Sequence, residues 1–313
     1  MSKILRHDQF FLKTFSDKKS VQVFLKDSLP EKLTARLDLD HIEFEECTVV
    51  DSSLSKNIPD LVIKTRVRSN KDPVDIYLLF EHKAHRDKNV LFQILRYMLN
   101  MWEKDLHEKK KPRIIIPYIF YHGKKRWKIK KFRDIFSNDP EINKRMIDLP
   151  FELFDTSRWD PEKSPEDFAR DIKLKISIEI MKKSFKMNAQ TMKEILLTLS
   201  KLGFFENFDK NSYMVLYLIG SSNVAKEEFV NIIEEVKSVD HSLEDKMQTL
   251  GDILKQEGRQ EGIQKGMQKG IMQACRKALR CKIPVEIVSS ITGLSVKKVL
   301  EIKKELSESE EDK

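Results

Sequence analysis

Apolar and polar positions alternate along the first 160 residues in an order typical of an α/β domain. The segment Asp8 to Leu29 carries phenylalanine, valine and leucine at roughly helical spacing, which predicts one or two helices. The segments that follow are predicted as three strands, an amphipathic helix and a further strand, at 42–50, 60–67, 74–83, 87–104 and 114–122. Because a crossover helix usually returns the chain parallel to its sheet, the last strand is expected to be parallel to its neighbour.

After residue 160 the pattern becomes mostly helical. Pro161 and Pro165 indicate a linker, a helix is predicted to begin at Pro165, and 172–204 and 211–236 read as helical throughout. We therefore predict three parts: an α/β domain at 1–158, a helical domain at 159–250 and a C-terminal segment at 251–313.

The C-terminal segment contains two features. Glycine recurs every four residues at Gly258, Gly262, Gly266 and Gly270. In a helix these glycines would form a ridge for close helix contact, and so for a homo-oligomer, while the alternative is a flexible tether. Two short helices around Gly293 then predict a helix-turn-helix, whose second helix carries Lys297 and Lys298 for contact with DNA or with protein.

The candidate chemistry lies on the second and third predicted strands. Asp60 opens the first of these, and Glu81 and Lys83 end the next. Side chains alternate along a strand, so Glu81 and Lys83 share a face. The short polar connection at 68–73 predicts a hairpin that brings Asp60 opposite Glu81.

Two carboxylates at this range suit Mg²⁺, with Mn²⁺ as an alternative, because such hard cations use few protein oxygens and keep waters. Lys83 would stabilise the transition state or orient the attacking water. The spacing alone also arises by chance in a chain in which 35% of residues are charged. A charge beside the apolar run at 78–80 is costly unless it is used, which favours a site.

Charge is concentrated in one segment. The chain carries a net charge of +8, yet twelve Lys and Arg face two acids between Lys104 and Arg133. Its densest run contains Lys124, Lys125, Arg126 and Lys128, with Trp127 and Phe132 interleaved. Such a surface predicts binding to a polyanion such as DNA, against the alternative of a solvated loop. On the helix at 87–104, Gln93, Arg96, Tyr97 and Asn100 form a polar edge that could face the metal site and contact the phosphates of DNA, against the alternative of an ordinary solvated helix edge.

Other features exclude several classes. No apolar run is long enough to cross a membrane, and the first residues lack the apolar core of a secretory signal. Three scattered cysteines support neither a disulfide framework nor a zinc site. We expect a cytoplasmic protein with no membrane partner.

Taken together, these motifs resemble the recombination-promoting nuclease (Rpn) family, also described as transposase-like, within the PD-(D/E)XK nuclease superfamily. The residues that carry the resemblance are His7 to Lys13, Pro59-Asp60, Leu79 to Lys83, Gln93 to Tyr97 and Pro117 to Gly123. Their order and spacing make the match specific. The C-terminal glycine repeat and the turn at Gly293 are also similar to that family.

The resemblance implies a restriction-endonuclease-like α-β-β-β-α-β core and a Mg²⁺-dependent DNA endonuclease that promotes recombination. Asp60 and Glu81 correspond to its metal-binding acids, and Lys83 to its third catalytic residue. Two other functions remain open: an inactive nuclease fold that binds DNA or regulates, and a strand-transfer transposase.

Overall fold

The computed structural model describes residues 6–45, 60–68, 75–163, 170–206, 208–222, 224–238, 270–281 and 283–311, with the isolated positions 259, 263, 266 and 267. Contacts divide the chain into two compact units, Ile4–Leu243 and Glu244–Lys313 with Met1–Lys3. The division into three parts stays a prediction. Within the described ranges, no helix is both long enough and apolar enough to span a bilayer.

A mixed sheet of five strands forms the centre of the larger unit, with its strands in the order of the chain. The strands are β1 (Glu43–Glu45), β2 (Leu61–Arg66), β3 (Asp75–Lys83), β4 (Ile114–Tyr121) and β5 (Glu152–Asp155). The first three pair antiparallel, whereas β3 with β4 and β4 with β5 pair parallel. The predicted hairpin, the parallel return and the α/β class are therefore confirmed. The short β5 was not predicted, and 46–50 of the first predicted strand lie outside the described residues.

Helices cover both faces of the sheet. They are α1 (His7–Thr14), α2 (Lys18–Ser28), the short α3 (Glu31–Thr34) and α4 (Val90–His107). Side chains of β3 alternate between the two layers. Leu79 packs in an apolar cluster with α4, whereas Phe80 contacts Phe15, which directly follows α1, and Phe24 of α2. The predicted α4 is confirmed, with its start shifted to Val90.

Helices also make up the rest of the larger unit. They are α5 (Pro140–Asn143), α6 (Ile172–Lys183), α7 (Ala189–Lys201), α8 (Phe208–Ser221) and α9 (Lys226–Lys237). Helix α8 packs on α1, where the rings of Phe10 and Tyr217 stack with centroids 3.9 Å apart. The helical character of this region is confirmed, but the two stretches predicted as helical throughout are each divided: the first by a 3₁₀ turn at Ser184–Lys186 and the end of α7 at Lys201, the second by the end of α8 at Ser221. The helix predicted to begin at Pro165 lies outside the described residues.

In the smaller unit, α10 (Val285–Thr292) and α11 (Val296–Glu311) flank Gly293, as predicted. Gly293 has φ of 70°, a left-handed conformation that favours glycine. Val288, Val299 and Cys275 are fully buried between these helices and the helical stretch at 270–280. Of the glycine ridge, Gly266 and Gly270 are helical and face open space within the chain. Gly258 and Gly262 lie outside the described residues, so the subunit contact stays a prediction.

A single glycine lets the chain turn at the end of β4. The ring of Tyr121 folds over Gly123, and its hydroxyl donates to the carbonyl oxygen of Lys125 at 2.6 Å. A Cβ atom on Gly123 would lie 2.2 Å from the Tyr121 hydroxyl oxygen. This close approach sets the direction in which the basic segment leaves the sheet.

We therefore expect Gly123→Ala to lower the free energy of unfolding by about 1–3 kcal/mol, because the added methyl group must displace a buried ring. Urea unfolding of the purified protein measures the change. Gly270→Ala is the matched control, since a Cβ there meets nothing within 4 Å and alanine is the better helix former. Equal stability of the Gly123→Ala protein and the wild type would contradict the packing described for Tyr121.

Candidate active site

Asp60 lies at the start of β2, beside the end of β3. The ladder pairs Leu61 with Phe80, so its continuation by one residue brings Asp60 opposite Glu81. Oδ2 of Asp60 accepts a hydrogen bond of 2.7 Å from the backbone N–H of His82. The hairpin thus brings Asp60 and Glu81 together, as predicted from their positions.

Glu81 and Lys83 point to the same face of β3, beneath α4. Nζ of Lys83 lies 2.9 Å from Oε1 of Glu81. Gln93, on the first turn of α4, joins both groups: its Nε2 donates to Oε1 of Glu81 at 2.8 Å, and its Oε1 accepts from Lys83 at 2.7 Å. A network therefore holds the acid and the amine in one geometry.

Two further residues complete this network: Tyr97 on α4 and Asp87 in the segment that leads into α4. Tyr97 lies one turn beyond Gln93, is buried, and its hydroxyl contacts Nε2 of Gln93. Arg96, predicted beside them, is exposed. Asp87 was not predicted; its Oδ2 lies 3.2 Å from Nζ of Lys83. Its place four residues after Lys83 is the one signal in the sequence that could have pointed to it.

Burial dominates the electrostatics of the two acids. Glu81 is only 3% exposed. Its burial, together with the nearby charge of Asp60, raises its pKa to about 7, despite the opposing attraction of Lys83. Burial likewise raises the pKa of Asp60. Burial alone would lower the pKa of Lys83, but Glu81 and Asp87 together raise it, so the amine stays charged. Burial therefore disfavours the charged form of both acids.

One oxygen of the pair is unsatisfied. Oε2 of Glu81 is buried and has no hydrogen-bond partner among the described residues. No group of three or more His, Cys, Asp or Glu suited to a metal occurs in the described part of the chain. A Mg²⁺ ion needs only one or two carboxylates when waters and phosphate oxygens supply its other ligands. Asp60 and Glu81 fit such an ion and do not fit an all-protein cage.

The basic segment leaves the sheet beside this network. In the parallel ladder Tyr121 lies opposite Lys83. The exposed side chains of Lys124, Lys125, Arg126 and Lys128 follow within seven residues of Tyr121. The expectation that Trp127 and Phe132 belong to this basic surface is wrong: they are 6% and 2% exposed and pack in the core beneath α4. Hydrophobic burial took both rings out of the basic surface.

The candidate DNA-binding lysines of the C-terminal unit lie on α11. Lys298 is exposed, and its Nζ lies 2.8 Å from Oε2 of Glu301. The side chain of Lys297 lies outside the described part of the chain. Neither lysine can be related to the acid pair, and contact of this helix with DNA stays a prediction.

The opposite face of β3 carries a chain of histidines that the sequence did not reveal. Nε2 of His82 lies 3.0 Å from Nδ1 of His122, whose Nε2 lies 3.1 Å from Nδ1 of His7. The hydroxyl of Tyr217 on α8 lies 2.6 Å from the same atom of His7. Burial lowers the pKa of all three imidazoles, and neighbouring histidines lower it further. A neutral polar array thus anchors α1 and α8 to the strand end that holds Asp60.

Comparison with known proteins bears on this site. The family model described as "Putative transposase, YhgA-like" matches residues 5–209. The chain is 27% identical over 154 residues to the recombination-promoting nuclease RpnD of Escherichia coli O157:H7, covering 48% of this chain and 58% of that protein. It is 25% identical over 157 residues to the recombination-promoting nuclease RpnC of Escherichia coli K12, covering 48% of this chain and 50% of RpnC.

A third relative is named as inactive. The inactive recombination-promoting nuclease-like protein RpnE of Escherichia coli K12 is 24% identical over 263 residues, covering 80% of this chain and 82% of RpnE. The chain thus spans little more than half the length of RpnD and RpnC, but most of RpnE. No solved structure matches the chain.

Glu81→Gln is expected to stabilise the protein at pH 8. The unfolded chain releases this proton near the ordinary pKa and the folded protein only near 7, so stability falls as the pH rises between the two values. Replacing the buried charge should raise the free energy of unfolding at pH 8 by on the order of 1–3 kcal/mol, and by little at pH 5. Urea unfolding at both pH values tests this, with the exposed Glu141→Gln as control. A less stable Glu81→Gln protein at pH 8 would show that Glu81 is a structural ion-pair partner.

His122→Phe should make stability less dependent on pH. With the pKa of His122 lowered in the folded state, only the unfolded chain gains a proton as the pH falls below about 6.5, so wild-type stability declines there. Phenylalanine keeps the ring contacts and removes about 1.4 kcal/mol per pH unit of that decline. Urea unfolding at pH 7.5, 6.5 and 5.5 measures the slope, and the exposed His107→Gln serves as control. An unchanged slope would refute a neutral His122.

Proposed function

Because the chain belongs to the YhgA-like transposase family, we propose that it is a metal-dependent DNA endonuclease that hydrolyses phosphodiester bonds and promotes recombination. One observation carries the proposal: buried Glu81 and half-buried Asp60 lie side by side, with Lys83 on the same face. Burying two like charges costs stability, and proteins accept that cost mainly at functional sites. RpnD and RpnC, which are named recombination-promoting nucleases, favour this chemistry.

Asp60 and Glu81 would hold a Mg²⁺ or Mn²⁺ ion. The partnerless Oε2 of Glu81 supports this, because an oxygen buried without a donor is stabilised by a cation. Such an ion supplies Lewis-acid activation of the phosphate and lowers the pKa of a bound water. The backbone N–H of His82 fixes the Asp60 carboxylate, so that acid is oriented before any ligand arrives.

Lys83 would act on the reacting phosphate. Its amine is charged, and contacts with Glu81, Asp87 and Gln93 hold it in place. A fixed ammonium can donate to a phosphate oxygen or to the attacking water, and so stabilise charge that develops in the transition state. Gln93 would orient both Glu81 and Lys83, which is a positioning role.

The basic segment would hold the DNA backbone. Lys124, Lys125, Arg126 and Lys128 are exposed and start next to the strand end that carries Lys83. Binding through lysine and arginine contacts to phosphate weakens steeply as salt rises. Lys297 and Lys298 of the C-terminal unit would add a second, separate contact.

Two other functions make different predictions. An inactive nuclease fold that binds DNA has a precedent in the relative RpnE. Yet Asp60, Glu81 and Lys83 are all present here, which favours an active enzyme. A strand-transfer transposase is suggested by the family description. It would join DNA ends, and a hydrolase would only open them.

The decisive experiment is a plasmid nicking assay with Mg²⁺, with Mn²⁺ and with EDTA. Wild-type protein should nick only with a metal. Asp60→Asn should lower the rate by at least about 100-fold, because the metal loses a carboxylate ligand and no longer activates its bound water. Lys83→Met should lower the rate to a similar extent. The matched control is Asp40→Asn, at an exposed acid twenty residues before Asp60; this variant should cleave as the wild type does.

The outcomes separate the three functions. Full cleavage by a folded Asp60→Asn protein would overturn the assignment of the site. Salt-sensitive DNA binding without cleavage in either metal would identify an inactive, DNA-binding member. Joined products from a labelled donor end would identify a strand-transfer enzyme.

A further inference from the structure

Two aromatic rings stand out from the surface of the larger unit. Among the described residues, the phenylalanines that are at least one-third exposed are Phe92, at 38%, and Phe136, at 52%. The two rings are in contact with each other, with centroids 6.1 Å apart. Exposed phenylalanines that contact each other indicate an interaction surface for a ligand or a partner molecule.

Both rings rest on a third, buried ring. Phe132 is 2% exposed and belongs to the apolar cluster beneath α4. Its centroid lies 5.2 Å from that of Phe92 and 5.3 Å from that of Phe136, edge to face in both pairs. The exposed rings therefore have a fixed base, and little side-chain freedom is lost when a flat ligand stacks on them.

One ring of the aromatic pair lies on the same turn of α4 as Gln93 of the candidate active site. Phe92 directly precedes Gln93, whose amide group contacts both Glu81 and Lys83. Neighbouring Cα atoms are about 3.8 Å apart. A ligand stacked on Phe92 is thus within a few nucleotide lengths of the acid pair.

Cationic side chains lead to the rings from both sides. The exposed Lys128, Lys130 and Lys131 run directly into Phe132. On α4, Arg96 is exposed one turn after Phe92, and so on the same side of the helix. Flat apolar rings beside a line of cations are the pattern that proteins use to bind unpaired nucleic acid, with bases on the rings and phosphates on the cations.

From Lys128 to Phe136 the segment carries four cations, Lys128, Lys130, Lys131 and Arg133, against one acid, Asp134. Arg133 reaches Asp148 at 3.6 Å, and Asp139 caps α5 through backbone N–H groups. Exposed Ile142 and Ile147 extend the apolar area, which would also suit a protein partner. The line of lysines favours a polyanion over an apolar protein surface.

We propose that Phe92 and Phe136 stack on unpaired bases, and that the substrate class of the site is DNA with single-stranded character. This inference rests on the proposed function, because it names the DNA form that the nuclease takes. Aromatic stacking is insensitive to base identity, so the platform selects unpaired over paired DNA without sequence preference.

The test measures binding without cleavage. A single-stranded oligonucleotide and a duplex of the same sequence, both fluorescently labelled, are titrated in EDTA with wild type and with Phe92→Ala/Phe136→Ala. The double variant should bind the single strand on the order of tenfold or more weakly. Its duplex affinity should stay within about twofold, because phosphate contacts remain.

Matched variants separate stacking from apolar contact. Phe92→Trp/Phe136→Trp keeps the π-faces and should retain the single-strand affinity of the wild type, whereas Phe92→Leu/Phe136→Leu keeps only apolar area and should lose it. Leu99→Ala, on exposed Leu99 of the same helix, should change nothing. Melting temperatures confirm that each variant is folded.

The proposal would be overturned by unchanged single-strand binding of the alanine variant, by equal weakening on single strand and duplex, or by full retention of affinity in the leucine variant. A change in oligomeric state on gel filtration with intact DNA binding would assign the platform to a second copy of the chain and also overturn it. Because binding is measured without metal, the result stands apart from the nicking assay. Loss of cleavage alone would refute only the endonuclease.

Discussion

In the ladder between β2 and β3, Leu61 lies opposite Phe80, and a slip of one residue would turn Glu81 and Lys83 to the other face of the sheet. The apolar side chains around them hold this register. Leu79 belongs to the core beneath α4 and Phe80 to the core beneath α1 and α2, so a slipped strand would move each side chain into a core that is packed around the other. The hydrophobic pattern of β3 thus fixes the register, and the register determines where the acid pair and the lysine lie.

At its C-terminal end, β3 carries the candidate acid Glu81 on one face and the buried histidine chain on the other. On one face, buried Glu81 has a raised pKa and an oxygen that finds no hydrogen-bond partner among the described residues, which is a local cost to stability. On the other, His82 stacks between Phe11 and His122, and the histidine chain ties α1 and α8 to the sheet. The backbone of His82 links the two, since its N–H donates to Asp60. The well-packed face that carries His82 therefore supports the face that carries the candidate site.

The sequence predicted much of the fold and the site, and where it failed the reason is physical. Asp60, Glu81 and Lys83 were found because strand alternation and hairpin pairing are local rules. Asp87 and the chain from His7 to His82 were missed because their contacts join segments distant in sequence or a loop without regular period. The short β5 was missed because four residues carry too little pattern. Trp127 and Phe132 were assigned to the basic surface, although burial places them in the core.

The sequence by itself determined the order of elements, the shared face of Glu81 and Lys83, and the concentration of positive charge after β4, because each depends on periodicity or composition over a short stretch. Only the tertiary structure decided which aromatic rings face water and which acids lose it. Exposure depends on what packs above a residue, and neighbouring positions such as Phe132 and Phe136 differ solely in that respect. The raised pKa of Glu81 has the same origin, since the helix packed above it excludes the water that would otherwise keep the pKa of that carboxyl near its usual value.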